Sequence, residues 1–369
     1  MIIVGSGITG AACALEAATL GAEAILVDAG LDGRATAAGA GIVSPWLSRV
    51  EDPAWHSFAA AAAREYPLLV GRLADAGETE TGYRKAGALY LCDDETEAGR
   101  VFKRAVKQSV DTPEIGDVKI LSGLSAQELF PPLREDKAAV HITGAARVDG
   151  RLMAAALRRA AVKAGAAELP GTARLLMRDG RVRGAEVGGE VIEGDTVVAA
   201  AGAWTGGFVA GAATVRTEPQ RGQIMRFSLP GTDTSRWPVI LPTSTGHYML
   251  AFDGGRIVAG ATREAGSGFD YRMTAGGLAE VLSEALGVAP GLAGAEVAET
   301  RIGFRPMGPD IRPLLGPVPG ADGLVIATGL GASGLTMGPR AGAVAARVAL
   351  GTDPLLGPGE DLAAFDPLR

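Results

Sequence analysis

The first thirty residues show the hydrophobic pattern of a strand, a helix and a second strand. The uncharged apolar run 1–4 is typical of a buried parallel strand. A glycine-rich turn over residues 5–10 follows, and the alanine-rich stretch 11–20 has the composition of a helix. The apolar run 24–27 predicts a second strand, which ends at Asp28. The pattern therefore predicts a βαβ unit at the start of the chain.

Further along the chain, the spacing of apolar residues alternates between helical and strand periods. Helices are predicted over residues 54–77, 95–109, 150–164, 276–287 and 338–349. Strands are predicted near residues 86–91, 137–142, 171–177, 181–187, 195–200, 222–228, 247–251, 256–261, 297–304 and 324–328. Because many of the middle strands follow one another without a helix between them, we expect an antiparallel sheet inserted into an α/β framework.

The composition narrows the class of protein. With 47% hydrophobic and 21% charged residues, the 369-residue chain can bury a large core, which rules out global disorder. The net charge is −7 and no basic stripe is present, so nucleic acid and anionic membranes are poor partners. Two cysteines cannot form a disulfide framework, which favours a cytoplasmic location, and three scattered histidines predict no metal site.

One uncharged run, residues 196–215, is long enough to span a bilayer. It contains four glycines, however, and its pattern is that of a strand, a glycine turn and a short helix. We therefore expect no membrane span in this chain.

The turn after the first strand has the glycine spacing of a dinucleotide-binding fingerprint. Gly5 permits a tight turn, Gly7 allows a pyrophosphate to approach the backbone, and Gly10 lets the helix pack on the strand. Asp28, eighteen residues after Gly10, is placed to accept hydrogen bonds from ribose hydroxyls. The alternative is a glycine-rich turn in an unrelated α/β fold with an ordinary capping aspartate. Asp28 argues against an NADP site, but the fingerprint alone does not separate NAD from FAD.

Two further small-residue segments bear on the cofactor. Residues 195–205 form an apolar run that ends in a glycine turn followed by Trp204, and such small residues permit close approach of backbone to a cofactor. The alternative for this segment alone is a buried strand and turn without a function. The apolar run 324–328 leads through the turn 329–334 into a helix, whose N-terminus could face an anionic or electron-rich group. With the fingerprint at the N-terminus, these segments favour FAD.

Taken together and in order, these motifs resemble the D-amino-acid oxidase-type FAD oxidoreductases, most closely their glycine oxidase and sarcosine oxidase branch. The matching pieces are GSGITG (5–10), ATAAGAGIVSP (35–45), VVAAAGAW (197–204), QRGQ (220–223), GGRIVAGAT (254–262), GFRPMGPD (303–310) and ATGLGASGLTMGP (327–339). The resemblance extends from residue 1 to about residue 350.

The resemblance implies an α/β fold of two domains, in which a Rossmann-like FAD-binding domain is interleaved with a substrate domain built on a mainly antiparallel sheet. The FAD-binding domain is expected to comprise residues 1–80, 140–212 and 306–369, and the substrate domain residues 81–139 and 213–305. No cysteine stands where sarcosine oxidases attach their flavin, so we expect FAD to be bound non-covalently.

The resemblance also implies which residues hold FAD. The expected contacts are Gly5, Ser6, Gly7, Ile8, Thr9, Gly10, Asp28, Ala29, Thr36, Ala37, Ala40, Gly41, Ile42, Ala173, Ala201, Gly202, Trp204, Arg305, Gly331, Ala332, Ser333, Gly334, Leu335 and Thr336. The first glycine turn would hold the pyrophosphate, Asp28 the adenosine ribose, and Ala173 the adenine. Backbone N–H groups of the last segment would stabilise negative charge on the reduced flavin.

Three residues are expected to contact the substrate. Arg305 matches the family arginine that clamps a carboxylate, a role suited to a planar guanidinium; the alternative is a surface arginine paired with Asp310. Tyr248 matches a tyrosine beside the same carboxylate, or is an ordinary strand aromatic. Arg263 replaces an apolar family residue, so it meets a second carboxylate or is a solvated arginine at a strand end. Ala332 replaces an arginine of the glycine oxidase branch.

The reaction implied by the resemblance is oxidation of the C–N bond of a small amino acid, glycine or an N-substituted glycine, by hydride transfer to flavin N5. The imine would hydrolyse to glyoxylate and an amine, and O2 or another acceptor would take the electrons. Two alternatives stay open: a D-amino-acid dehydrogenase that serves a quinone or a partner protein, and a non-catalytic flavin-binding subunit of an assembly. Formation of a homo-oligomer stays open as well.

Overall fold

A computed structural model of the chain describes residues 1–357 and 360–369; residues 358–359, within the expected segment 306–369, lie outside the description. The strands are β1 (Ile2–Val4), β2 (Ile25–Asp28), β3 (Ile42–Val43), β4 (Arg84–Lys85), β5 (Ala88–Cys92), β6 (Val118–Leu121), β7 (Ala138–Ile142), β8 (Ala146–Arg147), β9 (Ala167–Pro170), β10 (Ala173–Arg178), β11 (Arg181–Val187), β12 (Glu190–Glu193), β13 (Val197–Ala199), β14 (Glu218–Ser228), β15 (Val239–Pro242), β16 (Tyr248–Phe252), β17 (Arg256–Gly260), β18 (Glu296–Met307), β19 (Leu314–Pro317) and β20 (Leu324–Thr328). The helices are α1 (Ile8–Thr19), α2 (Ala35–Ala38), α3 (Pro53–Asp75), α4 (Glu95–Ser109), α5 (Gly123–Leu129), α6 (Gly150–Lys163), α7 (Thr205–Val209), α8 (Ala275–Val288) and α9 (Gly334–Ala349).

The first large sheet has six strands in the order β19-β20-β13-β1-β2-β9. The strands from β20 to β9 pair in parallel, whereas β19 runs antiparallel. At the centre, Ile3 lies beside both Leu26 and Val198, and all three side chains are buried. Burial on both faces explains the continuous apolar runs in the sequence. The carboxyl ends of β1, β2 and β13 therefore meet at one edge of the sheet.

Helix α1 packs against α6 and α9, and glycines allow the closest contacts. A Cβ at Gly10 would lie 1.8 Å from the carbonyl oxygen of Gly5, and a Cβ at Gly342 would lie 2.1 Å from that of Thr9. The opposite face of the sheet is covered by the three-stranded sheet β10-β11-β12, whose Val182 and Val187 pack in one core with Ile2 and Val4 of β1. This packing fixes the N-terminus of α1 at the carboxyl edge of β1.

The second large sheet has eight strands in the order β18-β14-β17-β16-β15-β5-β7-β6. Its neighbours pair antiparallel, except for the parallel pair β15 and β5. The long ladder between β14 and β18 places Gln220 opposite Arg305 and Gly222 opposite Gly303. Helix α8 packs on β14 and β17. The mainly antiparallel character of this sheet is as the sequence predicts.

The five predicted helices are confirmed, although α9 begins at Gly334, four residues before the predicted start. The run 196–215 folds into β13, a turn at Gly202–Trp204 and α7, as its glycines indicate. Within residues 1–357 and 360–369, no helix is both long enough and apolar enough to cross a membrane. The sequence reasoning missed short elements such as α5 and β6, whose apolar side chains are half-exposed and give no clear period.

The strands of the six-stranded sheet all come from the segments expected to form the FAD-binding domain. In the eight-stranded sheet, β7 and β18 cross the expected bounds at 139–140 and 305–306. The division of the chain into two domains with these bounds stays a prediction.

Candidate active site

A cavity of about 280 Å³ is lined by residues of both large sheets. Its walls come from the carboxyl ends of β1, β2 and β13, the N-termini of α1 and α9, and strands β14, β16 and β18. The expected site residues that line it are Gly5, Gly7, Ile8, Thr9, Asp28, Ala29, Thr36, Ala40, Gly41, Ile42, Ala173, Ala201, Gly202, Trp204, Tyr248, Arg263, Arg305, Gly331, Ala332, Gly334 and Leu335. Open parallel sheets bind their ligands at this edge, and segments far apart in the sequence meet here.

The turn between β1 and α1 fits a pyrophosphate group. Gly5 has a φ of +104°, and a Cβ there would lie 2.4 Å from the carbonyl oxygen of Ala200. Gly7 occupies the N-cap of α1 without a side chain to cap it, and the first turn of this helix has no acidic residue. A helix N-terminus of this kind presents backbone N–H groups and a positive dipole end, which favour phosphate oxygens.

Asp28 ends β2 and accepts hydrogen bonds from two backbone N–H groups. The donors are Ser6, at 2.6 Å from Oδ2, and Gly30, at 2.7 Å from Oδ1. Burial acts to raise the pKa of Asp28, but these two donors outweigh it and hold the pKa below its ordinary value. The ionised carboxylate suits ribose hydroxyls, which need an acceptor. Arg34, with Nη1 at 3.5 Å from Oδ1, also lines the cavity and was missed by the sequence reasoning.

Five expected contacts do not line this cavity: Ser6, Gly10, Ala37, Ser333 and Thr336. Ser6 and Ala37 line an adjoining cavity of about 410 Å³. Gly10 faces β1 rather than the cavity, because it lies on the face of α1 that packs on the strand. The Thr336 hydroxyl donates to the carbonyl oxygen of Ile42 at 2.9 Å and so ties α9 to β3. For these five residues, as for those that line the cavity, contact with the cofactor stays a prediction.

The turn before α9 forms the other end of the cavity. Ser333 occupies the N-cap of α9 without a side-chain hydrogen bond, and no acidic residue lies in the first turn of this helix. The buried Tyr66 hydroxyl donates to the carbonyl oxygen of Leu335, which fixes the turn from outside. A second uncapped helix N-terminus therefore faces the cavity, where it would stabilise electron density on a bound flavin.

Arg305, near the end of β18, points into the cavity across the backbone of Gly222. Its Nη1 donates to the carbonyl oxygen of Thr262 at 2.9 Å and to Oε1 of Gln220 at 3.2 Å. Among the described residues, no carbonyl, amide or carboxylate oxygen accepts from its Nε or Nη2, and the Tyr248 phenol is the neighbouring polar side chain. Burial lowers the pKa of Arg305, but a guanidinium stays charged at neutral pH. Two of its nitrogens are therefore available to a ligand.

Arg305 also lacks a counter-charge in the described part of the chain, where no carboxylate oxygen comes within 4.0 Å of its guanidinium. The alternative partner, Asp310, instead pairs with Arg369 at 2.6 Å. Arg305 is therefore not a surface arginine held by Asp310. A partly buried cation without a partner is costly, and a planar guanidinium suits the two oxygens of a ligand carboxylate.

Tyr248 and Arg263 line the cavity together with Arg305. Burial raises the pKa of Tyr248, and the positive charges of the two arginines oppose it only in part, so the phenol keeps its proton as a donor. Arg263, just beyond β17, is exposed and donates from Nη2 to the carbonyl oxygen of Gly246 at 2.9 Å. This end of the cavity thus combines one phenol and two guanidinium groups.

Trp204 and Phe304 line the cavity and belong to an aromatic cluster with Phe269. Trp204 stacks on Phe269 with a centroid distance of 4.8 Å, and Phe304 meets both rings edge-on at 5.9 and 5.3 Å. The sequence reasoning included Trp204 but missed the other two rings. Phe304 adjoins Arg305 in the segment GFRPMGPD, a usable signal, whereas Phe269 lies in a loop without any period.

The comparisons with known proteins agree with this arrangement. Residues 1–348 match the DAO family of FAD dependent oxidoreductases. The uncharacterised oxidoreductase YurR of Bacillus subtilis (strain 168) is 45% identical over 368 residues, which are 99% of this chain and 98% of that protein. Glycine oxidase of Pseudomonas aeruginosa is 30% identical over 364 residues, which are 97% of this chain and 96% of that protein. Among solved structures, iminodiacetate oxidase from Chelativorans sp. BNC1 has a TM-score of 0.94 and 46% identity, covering 99% of this chain and 98% of that one.

Proposed function

The chain belongs to the DAO family of FAD dependent oxidoreductases, and from this premise we propose that it oxidises an N-substituted glycine bearing a second carboxylate, iminodiacetate being the simplest case. One observation carries the proposal: Arg305 and Arg263 face one cavity beside Tyr248, and no carboxylate oxygen of the described residues lies within 4.0 Å of either guanidinium. The likeness to iminodiacetate oxidase supports it, since glycine oxidases are more distant at 30% identity or below.

The three side chains would bind and orient the substrate. Nε and Nη2 of Arg305 offer two parallel donors to the carboxylate of the carbon that is oxidised, and the Tyr248 hydroxyl donates to the same group. Arg263, more exposed, offers its guanidinium to the carboxylate on the nitrogen substituent. Glycine and sarcosine lack that second carboxylate and would leave Arg263 to solvent. Charge complementarity therefore favours the dicarboxylic amine.

FAD, when bound, accepts the two electrons released as the C–N bond is oxidised. The described lining of the cavity contains no histidine, lysine or glutamate, and its aspartate, Asp28, lies at the dinucleotide end. The residues near Arg305 therefore act by orienting the substrate and excluding water rather than by moving protons. The amine must enter in its neutral form, so that its lone pair can assist. Water then hydrolyses the imine, which for iminodiacetate yields glyoxylate and glycine.

The test compares oxidation of iminodiacetate and sarcosine by the wild-type holoenzyme and by Arg263→Leu. We expect the substitution to raise KM for iminodiacetate roughly five- to tenfold, as befits a partly solvated ion pair, and to leave sarcosine kinetics unchanged. Arg100→Leu is the matched control, because Arg100 is exposed on α4 and lines neither cavity. Equal effects of Arg263→Leu on both substrates would contradict the proposal.

A further inference from the structure

A carboxylate directly after Arg263 holds this part of the chain in place. We propose that Glu264 is a positioning residue, which fixes Arg263 relative to Arg305 and thereby sets the preference for dicarboxylic over monocarboxylic amines. The inference rests on the proposed function but concerns a residue that lines neither cavity.

Each oxygen of the Glu264 carboxylate accepts two hydrogen bonds from other residues of the protein. Oε1 accepts hydrogen bonds from the Thr262 hydroxyl at 2.6 Å and from Gln223 Nε2 at 2.7 Å. Oε2 accepts from Arg221 Nη2 at 2.6 Å and from its Nε at 3.0 Å. The backbones of Glu264 and Arg221 exchange two further bonds, at 2.9 and 3.1 Å. Glu264 is therefore joined to β14 by its main chain and its side chain together.

The groups that hold Glu264 are themselves immobilised. Gln223 is completely buried, and its amide also bonds Thr274, the N-cap residue of α8. Arg221 is 7% exposed and pairs with Asp270 at 2.9 Å. These partners belong to β14 and to the loop before α8, so the segment 262–264 is fixed against two separate elements.

Arg263 depends on this segment more than Arg305 does. Its side chain bonds a single carbonyl group, that of Gly246, and it is exposed. Its placement is therefore set mainly by its neighbours in the chain. Arg305 also donates to the carbonyl oxygen of Thr262 in this segment, but it has further support from Gln220 and from the β14–β18 ladder. Weakening the hold on Glu264 should therefore displace the guanidinium of Arg263 more than that of Arg305.

The test uses Glu264→Gln, which keeps the shape and removes the charge. Calorimetry on the FAD-loaded protein measures the Kd of glutarate, the isostere of iminodiacetate with CH2 in place of NH, and of butyrate, its monocarboxylate counterpart. We expect the preference for glutarate over butyrate to fall about fivefold in the variant. Glu78→Gln is the matched control, because Glu78 is a carboxylate held by Arg159 and Lys163 and lines neither cavity.

A double variant shows whether Glu264 acts through Arg263. In an Arg263→Leu background, Glu264→Gln should cause no further loss of preference; a further loss would overturn the inference. An unchanged preference in Glu264→Gln, or equal weakening of both ligands, would also overturn it. If the wild type does not prefer glutarate, the proposed function itself fails. Arg221→Lys, which loses the bidentate pair but keeps the charge, should reproduce the effect and serves if Glu264→Gln does not fold.

Discussion

Replacing Gly222 by alanine displaces the guanidinium group of Arg305, which lies against the backbone of Gly222. A Cβ at this position would lie 2.7–2.8 Å from Nη2, Cζ and Nη1 of Arg305. Non-bonded contacts of this kind need about 3.5 Å, and the nearest atom would lie at 2.7 Å, so the guanidinium must move away by roughly 0.8 Å. The backbone of Gly222 lies outside the left-handed region, so alanine adds no backbone strain.

A displacement of this size should lower the catalytic efficiency strongly and change the stability of the fold only slightly. Misplacing a substrate-orienting group by about 1 Å can cost a factor on the order of 100, so we expect kcat/KM to fall 10- to 100-fold for every carboxylate substrate. The guanidinium is the end of a flexible side chain and can move into the cavity. The thermal unfolding midpoint should therefore shift by no more than about 4 °C.

The assay is steady-state oxidation of iminodiacetate by purified holoenzyme, paired with thermal unfolding of the same samples. Gly276→Ala in α8 is the matched control, because a Cβ there meets no atom within 4 Å. It should leave the kinetics unchanged and, because Gly276 lies in the first turn of α8, stabilise the helix by no more than about 0.5 kcal/mol. If Gly222→Ala keeps its kcat/KM while the fold is intact, the placement of Arg305 does not govern substrate binding.

Three further predictions address packing, acid stability and binding. Gly342→Ala should destabilise the protein by about 1–3 kcal/mol in urea unfolding, because its Cβ would lie 2.1 Å from the carbonyl oxygen of Thr9; a neutral effect would contradict the close packing of α1 on α9. The Arg301 guanidinium holds the pKa of Glu299 at about 2, below its ordinary value of 4.5, so its stabilising contribution is present above pH 4.5 and lost as the pH falls towards 2. The difference in unfolding free energy between wild type and Glu299→Gln should accordingly shrink over that range, and a constant difference would refute the linkage. Tyr248→Phe should raise KM roughly 10- to 100-fold with kcat little changed, as expected for one lost hydrogen bond to a charged carboxylate; an unchanged KM would remove Tyr248 from the site.

The sequence predicts best those parts of the fold that local patterns determine. The β1–α1–β2 unit and helix α4 follow from apolar periodicity, and their observed bounds lie close to the predicted ones. β18 runs to Met307, beyond the predicted end at residue 304, because pairing with β14 continues past the apolar run. Strand β6 was missed because it lies at the sheet edge with Ile120 half-exposed, where no alternation is required.

In the candidate site, too, residues of a local motif could be predicted from the sequence, whereas residues brought together by strand register could not. The glycine turn and Asp28 form one local motif, so their meeting could be predicted from spacing alone. Gly222 lies beneath Arg305 only because of the register between β14 and β18, which no local pattern encodes. The bonds between Glu264 and Arg221 likewise depend on how the chain after β17 returns alongside β14. The roles of Gly222 and Glu264 therefore could not be predicted from the sequence, because they depend on contacts between distant segments.

The most direct measurement of the central claim is an anaerobic titration of the FAD holoenzyme with iminodiacetate, sarcosine and glycine, followed by flavin absorbance. The pair of arginines predicts that iminodiacetate bleaches the long-wavelength flavin band at the lowest concentration and yields glyoxylate and glycine in equal amounts. Bleaching by glycine or sarcosine at lower concentrations than iminodiacetate would contradict a pocket built for two carboxylates. Failure of all three to bleach the flavin would contradict the proposed class of substrate altogether.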